Sequence, residues 1–289
     1  MDGSKAAQIR GARVSRLETR SRQKDVTTAK TITVVGAGIT GLWQALTLLQ
    51  AGYRVRVIER SVVPFANAAS RLAAAMLAPE CEAEAAPQIV RDLGRQSLVR
   101  WRDACPDVVA NGTLVVAMAR DAGELQRFAQ LTDRHCWLDA AELRQCEAEL
   151  ADRFDRALYY ASEAHMDGMA ALSALLEQVR QQGGEVCFGS GLSPADMDSE
   201  QVIDCRGFAA RDKLPGLRGV RGERIVVRTR DVLLARPVRL LHPRQPIYVV
   251  PQGDGRYVIG ATVIEREDDG PMTLRSALEL LGSAYALHP

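Results

Sequence analysis

Thr31-Ile32-Thr33-Val34-Val35-Gly36-Ala37-Gly38-Ile39-Thr40-Gly41 opens a run that continues as Leu42-Trp43-Gln44-Ala45-Leu46-Thr47-Leu48-Leu49-Gln50-Ala51-Gly52 and closes as Arg54-Val55-Arg56-Val57-Ile58-Glu59-Arg60. A β-branched stretch leads into a glycine loop, an apolar-periodic helix follows, and Gly52 ends it. A second β-rich stretch then finishes at an acid. This is the order of a βαβ dinucleotide-binding unit. Gly36 permits the tight turn, Gly38 lets a pyrophosphate approach the backbone, and Gly41 lets helix and strand pack closely. The N–H groups of the first helical turn, at the positive end of the helix dipole, then face the phosphates. Glu59 lies 18 residues past Gly41, where a carboxylate can accept ribose hydroxyls. A glycine turn in an ordinary βα unit would need only part of this pattern; strand, loop, helix, strand and acid agree here. The unit alone does not separate NAD from FAD.

The rest of the chain supports one large α/β molecule. It has 289 residues, 47% of them hydrophobic, and a formal net charge of +1. That balance gives no electrostatic reason to invoke nucleic acid or an anionic membrane, and no apolar run is long enough to span a bilayer. The six cysteines are scattered without a C-x-x-C pair, so they give no zinc or redox signature and read as reduced cytoplasmic thiols. Residues 1–30 differ from the remainder, with Lys5, Arg10, Arg13, Arg16, Arg20, Arg22, Lys24 and Lys30 against Asp2, Glu18 and Asp25. They read as a disordered basic tail, with an organelle transit peptide as the competing reading.

Beyond Arg60, Ser70-Arg71-Leu72-Ala73-Ala74-Ala75-Met76-Leu77-Ala78-Pro79 reads in two ways. It is either a short alanine-rich helix stopped by proline, or a stretch of small side chains against which a flat ring can lie. Pro87 to Cys105 is helical in pattern, as are Ala122 to Leu131, Asp139 to Glu149 and Met169 to Gln182. Asp139 with Glu142 three residues on forms a capping box, and Asp167-Gly168 opens the next helix. Strands are expected at Thr113–Met118, Ala157–Tyr160, Glu185–Phe188, Gln201–Cys205, Arg224–Val227 and Val232–Leu234. The strand ending at Cys205 runs into Arg206-Gly207, either a structural turn or a return to the glycine loop. Ile247–Pro251 and Tyr257–Thr262 around Gly253-Asp254-Gly255 make a hairpin, with Tyr248 and Val250 on one face and Ile247 and Val249 on the other. Thr273 to Leu287 closes the chain as a helix.

No acid–base pair, nucleophile elbow or metal-ligand spacing appears. His242, before a proline, reads as a turn residue. A dinucleotide fold without such a set suits a reaction that the cofactor itself performs.

These residues resemble the FAD-dependent glycine oxidases of thiamine biosynthesis, in the D-amino-acid oxidase superfamily. The glycine loop with Glu59-Arg60, the Ser70–Pro79 segment with Glu80-Cys81-Glu82, and the stretch Val220–Glu223, Arg236–Pro243 and Ile247–Thr262 carry the likeness, which runs from about Thr31 to the end. It implies FAD rather than NAD, a flavin against the alanine run, and oxidation of glycine or another small amine to the imine with peroxide formed from oxygen. Gly36, Gly38, Ile39, Thr40, Gly41, Glu59, Arg60, Ala69, Ser70, Ala74, Ala75 and Met76 match cofactor positions, and Val186 matches a strand valine near the adenine. Tyr248 matches a tyrosine that holds the substrate carboxylate, with Met76 and Val263 near the substrate. No metal is implied.

The implied fold is a Rossmann-like FAD unit, 31–87 with 154–219, interleaved with a mixed-sheet α+β substrate unit, 88–153 with 220–289. The implied partners are a small amino-acid substrate and molecular oxygen, with homo-oligomerisation left open. Two departures stand out. Ala75 occupies a position where the family commonly has glycine. The family also continues beyond the point matching Pro289 into segments that supply its carboxylate-binding arginines, and no arginine within Thr31–Pro289 matches them. The expectation is therefore an oxidase of weak glycine turnover as it stands, with an impaired relic or FAD-binding partner subunit, or a dehydrogenase using another acceptor, as the alternatives.

Overall fold

The structure, a computed structural model, describes residues 31–191, 193–197 and 201–289. The expected basic tail, 1–30, lies outside them. In chain order the strands and α-helices are β1 (Thr31–Val35), α1 (Ile39–Gln50), β2 (Arg54–Glu59), β3 (Met76–Leu77), α2 (Pro79–Glu82), α3 (Gln88–Ala104) and β4 (Thr113–Ala117). Then follow α4 (Ala122–Leu131), β5 (Cys136–Asp139), α5 (Ala140–Cys146), β6 (Arg156–Tyr160), β7 (Ala164–His165), α6 (Gly168–Gln181), β8 (Glu185–Phe188) and β9 (Gln201–Asp204). The last elements are β10 (Arg224–Arg228), β11 (Val238–Leu241), β12 (Ile247–Pro251), β13 (Arg256–Gly260) and α7 (Leu274–Leu287).

Two larger sheets organise them. The first is parallel, in the order β8-β2-β1-β9. It is built from the βαβ run, and α1 packs on it with Leu42, Ala45 and Leu46 buried against Val34, Val55 and Val57. Helix α6 joins the same core through Leu172, Leu175 and Val179. The second sheet is mixed, in the order β10-β13-β12-β11-β4-β6-β5. Its interior strand β4, between β11 and β6, is buried at every position, which suits its unbroken apolar sequence Leu114-Val115-Val116-Ala117. A third, two-stranded sheet pairs β3 with β7, Met76 opposite His165.

Several local expectations hold for local reasons. Asp139 accepts from the N–H groups of Ala141 and Glu142, while Glu142 accepts from Asp139 N–H, a complete capping box. Asp167 caps α6 through Met169 and Ala170 N–H. His242 Nδ1 accepts from Arg244 and Gln245 N–H, the expected turn role. The hairpin faces are as expected, with Tyr248 and Val250 in one apolar cluster and Ile247 and Val249 in another.

Three expectations change. Val232–Leu234 is not a strand: the Tyr257 hydroxyl accepts from Leu234 N–H at 3.1 Å and donates to Val232 C=O at 2.8 Å, taking the place of a strand partner. The helix begun at Asp139 stops at Cys146, because Glu147 turns away to receive Ala235 N–H and the Arg236 guanidinium. Sheet membership also moves a boundary. Residues 154–160, grouped by sequence with the cofactor unit, contain β6, which pairs with β4 and β5. We therefore place the return to the first unit after Tyr160. No described helix is long and apolar enough to cross a membrane.

Two measurements check this packing. A Cβ on Gly41 would stand 1.8 Å from the carbonyl oxygen of Gly36, a backbone atom that cannot step aside. Gly41→Ala should therefore lower the urea midpoint by the equivalent of about 1–3 kcal/mol. The second concerns His165, 4% exposed on β7, whose imidazole is lowered by burial from 6.5 to about 4. Between those values the unfolded chain binds a proton that the folded chain refuses. Stability is thus lost as pH falls below 6.5, by up to roughly 3 kcal/mol at pH 4. Stability-against-pH curves should be flatter over that window for His165→Gln than for the parent.

Candidate functional site

The glycine loop sits between three backbones. Gly36 adopts φ +106°, and a Cβ there would meet the Cys205 carbonyl oxygen at 2.5 Å. The strand ending near Cys205 therefore does return to the loop, and Cys205 N–H donates to Val35 C=O at 2.8 Å. A Cβ on Gly38, by contrast, would find nothing nearer than Ser70 Oγ at 3.8 Å and Ala68 Cβ at 3.9 Å. That open space lies before the first turn of α1, which has no capping side chain and no acid. Ser70 Oγ accepts Ile39 N–H at 3.2 Å, bringing the loop before the alanine run to the same helix end. A pyrophosphate fits this cradle of small residues at the positive end of the helix dipole.

Glu59 ends β2 beside it. Its two carboxylate oxygens accept Ala37 N–H and Ser61 N–H, both at 2.9 Å. Each oxygen keeps a further lone-pair direction for a hydroxyl. Arg60 follows on the exposed side, Thr40 is exposed on the first turn of α1, and Val186 lies on β8 opposite Val57.

The alanine run resolves its two readings. Ala69–Leu72 forms one 3-10 turn, and the chain then extends through Ala74 and Ala75 into β3 rather than continuing as a helix. Ala75 sits at φ +56°, the left-handed region that favours glycine, which accounts for glycine at the matching family position. Met166 N–H donates to Ala75 C=O at 3.2 Å. Gln252, in the hairpin turn, donates through Nε2 to Ala74 C=O at 3.3 Å and to Met166 C=O at 3.1 Å. Local sequence offers no signal for that role, because the two partners are remote in the chain.

Ala74, Val250 and Val258 form a small buried cluster, with Met76 and Tyr248 packed on it. The structure thus brings Tyr248 to the alanine run. Burial raises the Tyr248 phenol above the ordinary tyrosine range, so at neutral pH it is a hydrogen-bond donor and not a base. Val263, also expected near the substrate, is 80% exposed beyond β13. Glu82 lies on α2 and pairs with Arg239.

Comparisons with known proteins bear on the family and the fold. A family model described as FAD dependent oxidoreductase, DAO, matches residues 31–289. The chain is 48% identical over 259 residues to a protein of Rhizobium etli described as a thiamine biosynthesis oxidoreductase, ThiO, covering 89% of this chain and 79% of that one. It is 24% identical over 291 residues to a bifunctional protein ThiO/ThiG of Trichormus variabilis, covering 89% of this chain and 43% of that one. In fold it superposes on the crystal structure of glycine oxidase from Geobacillus kaustophilus with a TM-score of 0.72 at 21% identity, covering 89% and 78% of the two chains.

The site makes a differential prediction. Glu59→Ala should weaken FAD binding by about 1–3 kcal/mol, the scale of a hydrogen bond to a charged acceptor. Glu82→Ala should change it much less. Flavin fluorescence titration of both variants measures this, and equal losses would remove Glu59 from the cofactor site.

Proposed function

We propose that this chain, which belongs to the FAD-dependent oxidoreductase family, oxidises glycine or another small amino acid to the imine, reducing oxygen to peroxide, in thiamine biosynthesis. The observation that carries the reading is the apposition of Tyr248 to Ala74 and Met76. It puts a protonated phenol beside the segment that a flavin would lie against. The 48% identity to a ThiO protein over most of both chains supports the substrate class.

The residues fit FAD in named roles. Gly36, Gly38 and the first turn of α1 would hold the pyrophosphate, with Ile39 and Thr40 at the helix end. Glu59 would receive ribose hydroxyls, and Val186 would flank the adenine side. Ala69 and Ser70 lead into Ala74 and Ala75, whose small side chains would leave a surface for the ring, with Met76 packed beside them. When bound, FAD supplies the two-electron sink that takes hydride from the substrate Cα. The chain's own contribution is orientation and dryness. The Tyr248 hydroxyl donates a hydrogen bond to a carboxylate oxygen, and the Ala74–Val250–Val258 cluster keeps water from that wall. We place the protein in the cytoplasm, where six free cysteines, none bonded to another, are stable as thiols.

Protein reconstituted with FAD should show a flavin absorbance band and release peroxide on addition of glycine. Tyr248→Phe should raise KM for glycine by roughly tenfold, the equivalent of one lost hydrogen bond to a charged group. Stoichiometric uptake of NAD with no flavin bound would overturn the assignment.

A further inference from the structure

Strands β3 and β7 form a short antiparallel ladder that pairs Leu77 with Ala164 and Met76 with His165. One step further the register sets Ala75 opposite Met166, and Met166 N–H donates to Ala75 C=O at 3.2 Å. A hydrogen-bonded pair of antiparallel residues exchanges two such bonds, so the return bond belongs between Ala75 N–H and Met166 C=O. Met166 C=O accepts instead from Gln252 Nε2 at 3.1 Å. Ala75 N–H makes no hydrogen bond among the described residues.

The side chain of Gln252 suits that substitution. Its Nε2 also donates to Ala74 C=O at 3.3 Å. Both neighbours are carbonyl oxygens, which only accept, so the side-chain nitrogen and not the side-chain oxygen faces them. An amide nitrogen carries two hydrogens, one for each carbonyl. Ala74 and Met166 are buried, and carbonyl groups withdrawn from water require donors.

The amide is braced from its own backbone. Gln252 N–H donates to Arg256 C=O at 2.8 Å, and Gln252 C=O accepts from the Arg256 guanidinium at 3.2 Å. The same guanidinium reaches Asp167 Oδ2 at 3.3 Å, and Asp167, next to Met166, caps α6. One network therefore joins the hairpin turn, the α6 cap and the alanine run. A trans peptide points its N–H opposite to its C=O. With Ala74 C=O turned to Gln252, the Ala75 N–H is turned away from the hairpin turn. The φ of +56° at Ala75 takes that residue out of the extended conformation that a continuous ladder needs. An unpaired N–H on half-buried backbone is rare, and an acceptor from outside the chain satisfies it.

We infer that Gln252 takes the ladder place of the Ala75 N–H and thereby presents that N–H to an acceptor atom on the polar edge of the flavin ring. Gln252 is a positioning residue: it contacts two backbone carbonyls and acts on the ring through Ala75. This rests on the FAD reading above and not on which amine is oxidised. A donor held at a ring acceptor favours the reduced, more electron-rich flavin, so Gln252 bears on the reduction potential as well as on affinity.

The experiment follows amide hydrogen exchange of the full chain, resolved by residue, before and after loading with FAD. In flavin-free wild type, Ala75 N–H should exchange roughly tenfold or more faster than Met166 N–H, which is hydrogen-bonded. Loading with FAD should slow Ala75 by a similar factor. Gln252→Met keeps the length of the side chain and loses both donors, which lets Ala75 N–H close on Met166 C=O. In that variant Ala75 should be protected without flavin, and FAD should bind roughly three- to tenfold more weakly, the worth of one neutral hydrogen bond. The absorbance bands of its bound flavin should shift and the reduction potential should fall. Ala75 N–H that exchanges as slowly as Met166 N–H in flavin-free wild type overturns the inference, as does FAD loading that leaves Ala75 exchange unchanged. A folded Gln252→Met protein with FAD affinity within twofold of wild type and an unchanged potential overturns it equally. If that variant does not fold, Gln252→Asn, too short to reach both carbonyls, takes its place under the same criteria. Wild type that takes up no flavin would sink the FAD reading and the ligand of this N–H, whereas the flavin-free exchange rates still show whether Gln252 has freed it.

Discussion

The close approach of three backbones around Gly36 and Gly41 is the constraint on which the rest of the molecule depends. With the Gly36 carbonyl oxygen 1.8 Å from where a Gly41 side chain would begin, α1 can start only because that position has no Cβ. The same contact presses the loop against Cys205, so β1, α1 and the end of β9 are held as one unit. Glu59 closes the unit from the other side by holding Ala37 and Ser61 N–H. An anion-binding helix end is thereby built before any ligand arrives, which is how such a site avoids the entropic cost of ordering a loop on binding.

From that unit, the stretch between Ala69 and Leu77 carries the chain to the second sheet. Its middle, Ala73-Ala74-Ala75, carries little side-chain volume, and the backbone there is pinned by groups from elsewhere. Ser70 receives Ile39 N–H, Met166 N–H reaches Ala75, and Gln252 spans Ala74 and Met166. Ala75 bears a left-handed backbone there, at the cost of about 1–2 kcal/mol that a glycine would not incur. Surrounding hydrogen bonds over-determine the conformation and hold it. The result is a flat, thin wall between the cofactor cradle and Tyr248.

Charge is distributed unevenly around that wall. Glu80 is buried and takes two prongs of Arg95 at 2.6 and 2.7 Å, and Glu163 accepts Cys81 N–H at 2.7 Å with its carboxyl raised by burial. Arg239 has Glu82. Each of these groups has a partner within the protein, although Glu163 Oε2 and Arg239 Nε are buried without one of their own. Arg224 is the contrasting case, a half-buried cation in register with Tyr248 across Gly260 that has no such internal partner among the described residues.

By itself the sequence determined the βαβ unit, because glycine spacing, apolar period and a terminal acid are all local requirements of one supersecondary structure. The Asp139 and Asp167 caps, the His242 turn and the faces of the β12–β13 hairpin were legible for the same reason: each partner lies within a few residues. Likeness to a family added FAD and an expectation of which residues face it. Only the tertiary structure decided the rest. That Val232–Leu234 is not a strand depends on the Tyr257 phenol, and that β6 belongs to the mixed sheet depends on pairing with β4 and β5. Gln252 acts on partners far from it in the chain, and Arg224 meets Tyr248 only through the register of three strands. Periodicity states which way a residue points from its own strand, but not which strand lies beside it. Neighbours across a sheet are chosen by the packing of the whole core, and it is those neighbours that place an unpaired charge beside a phenol.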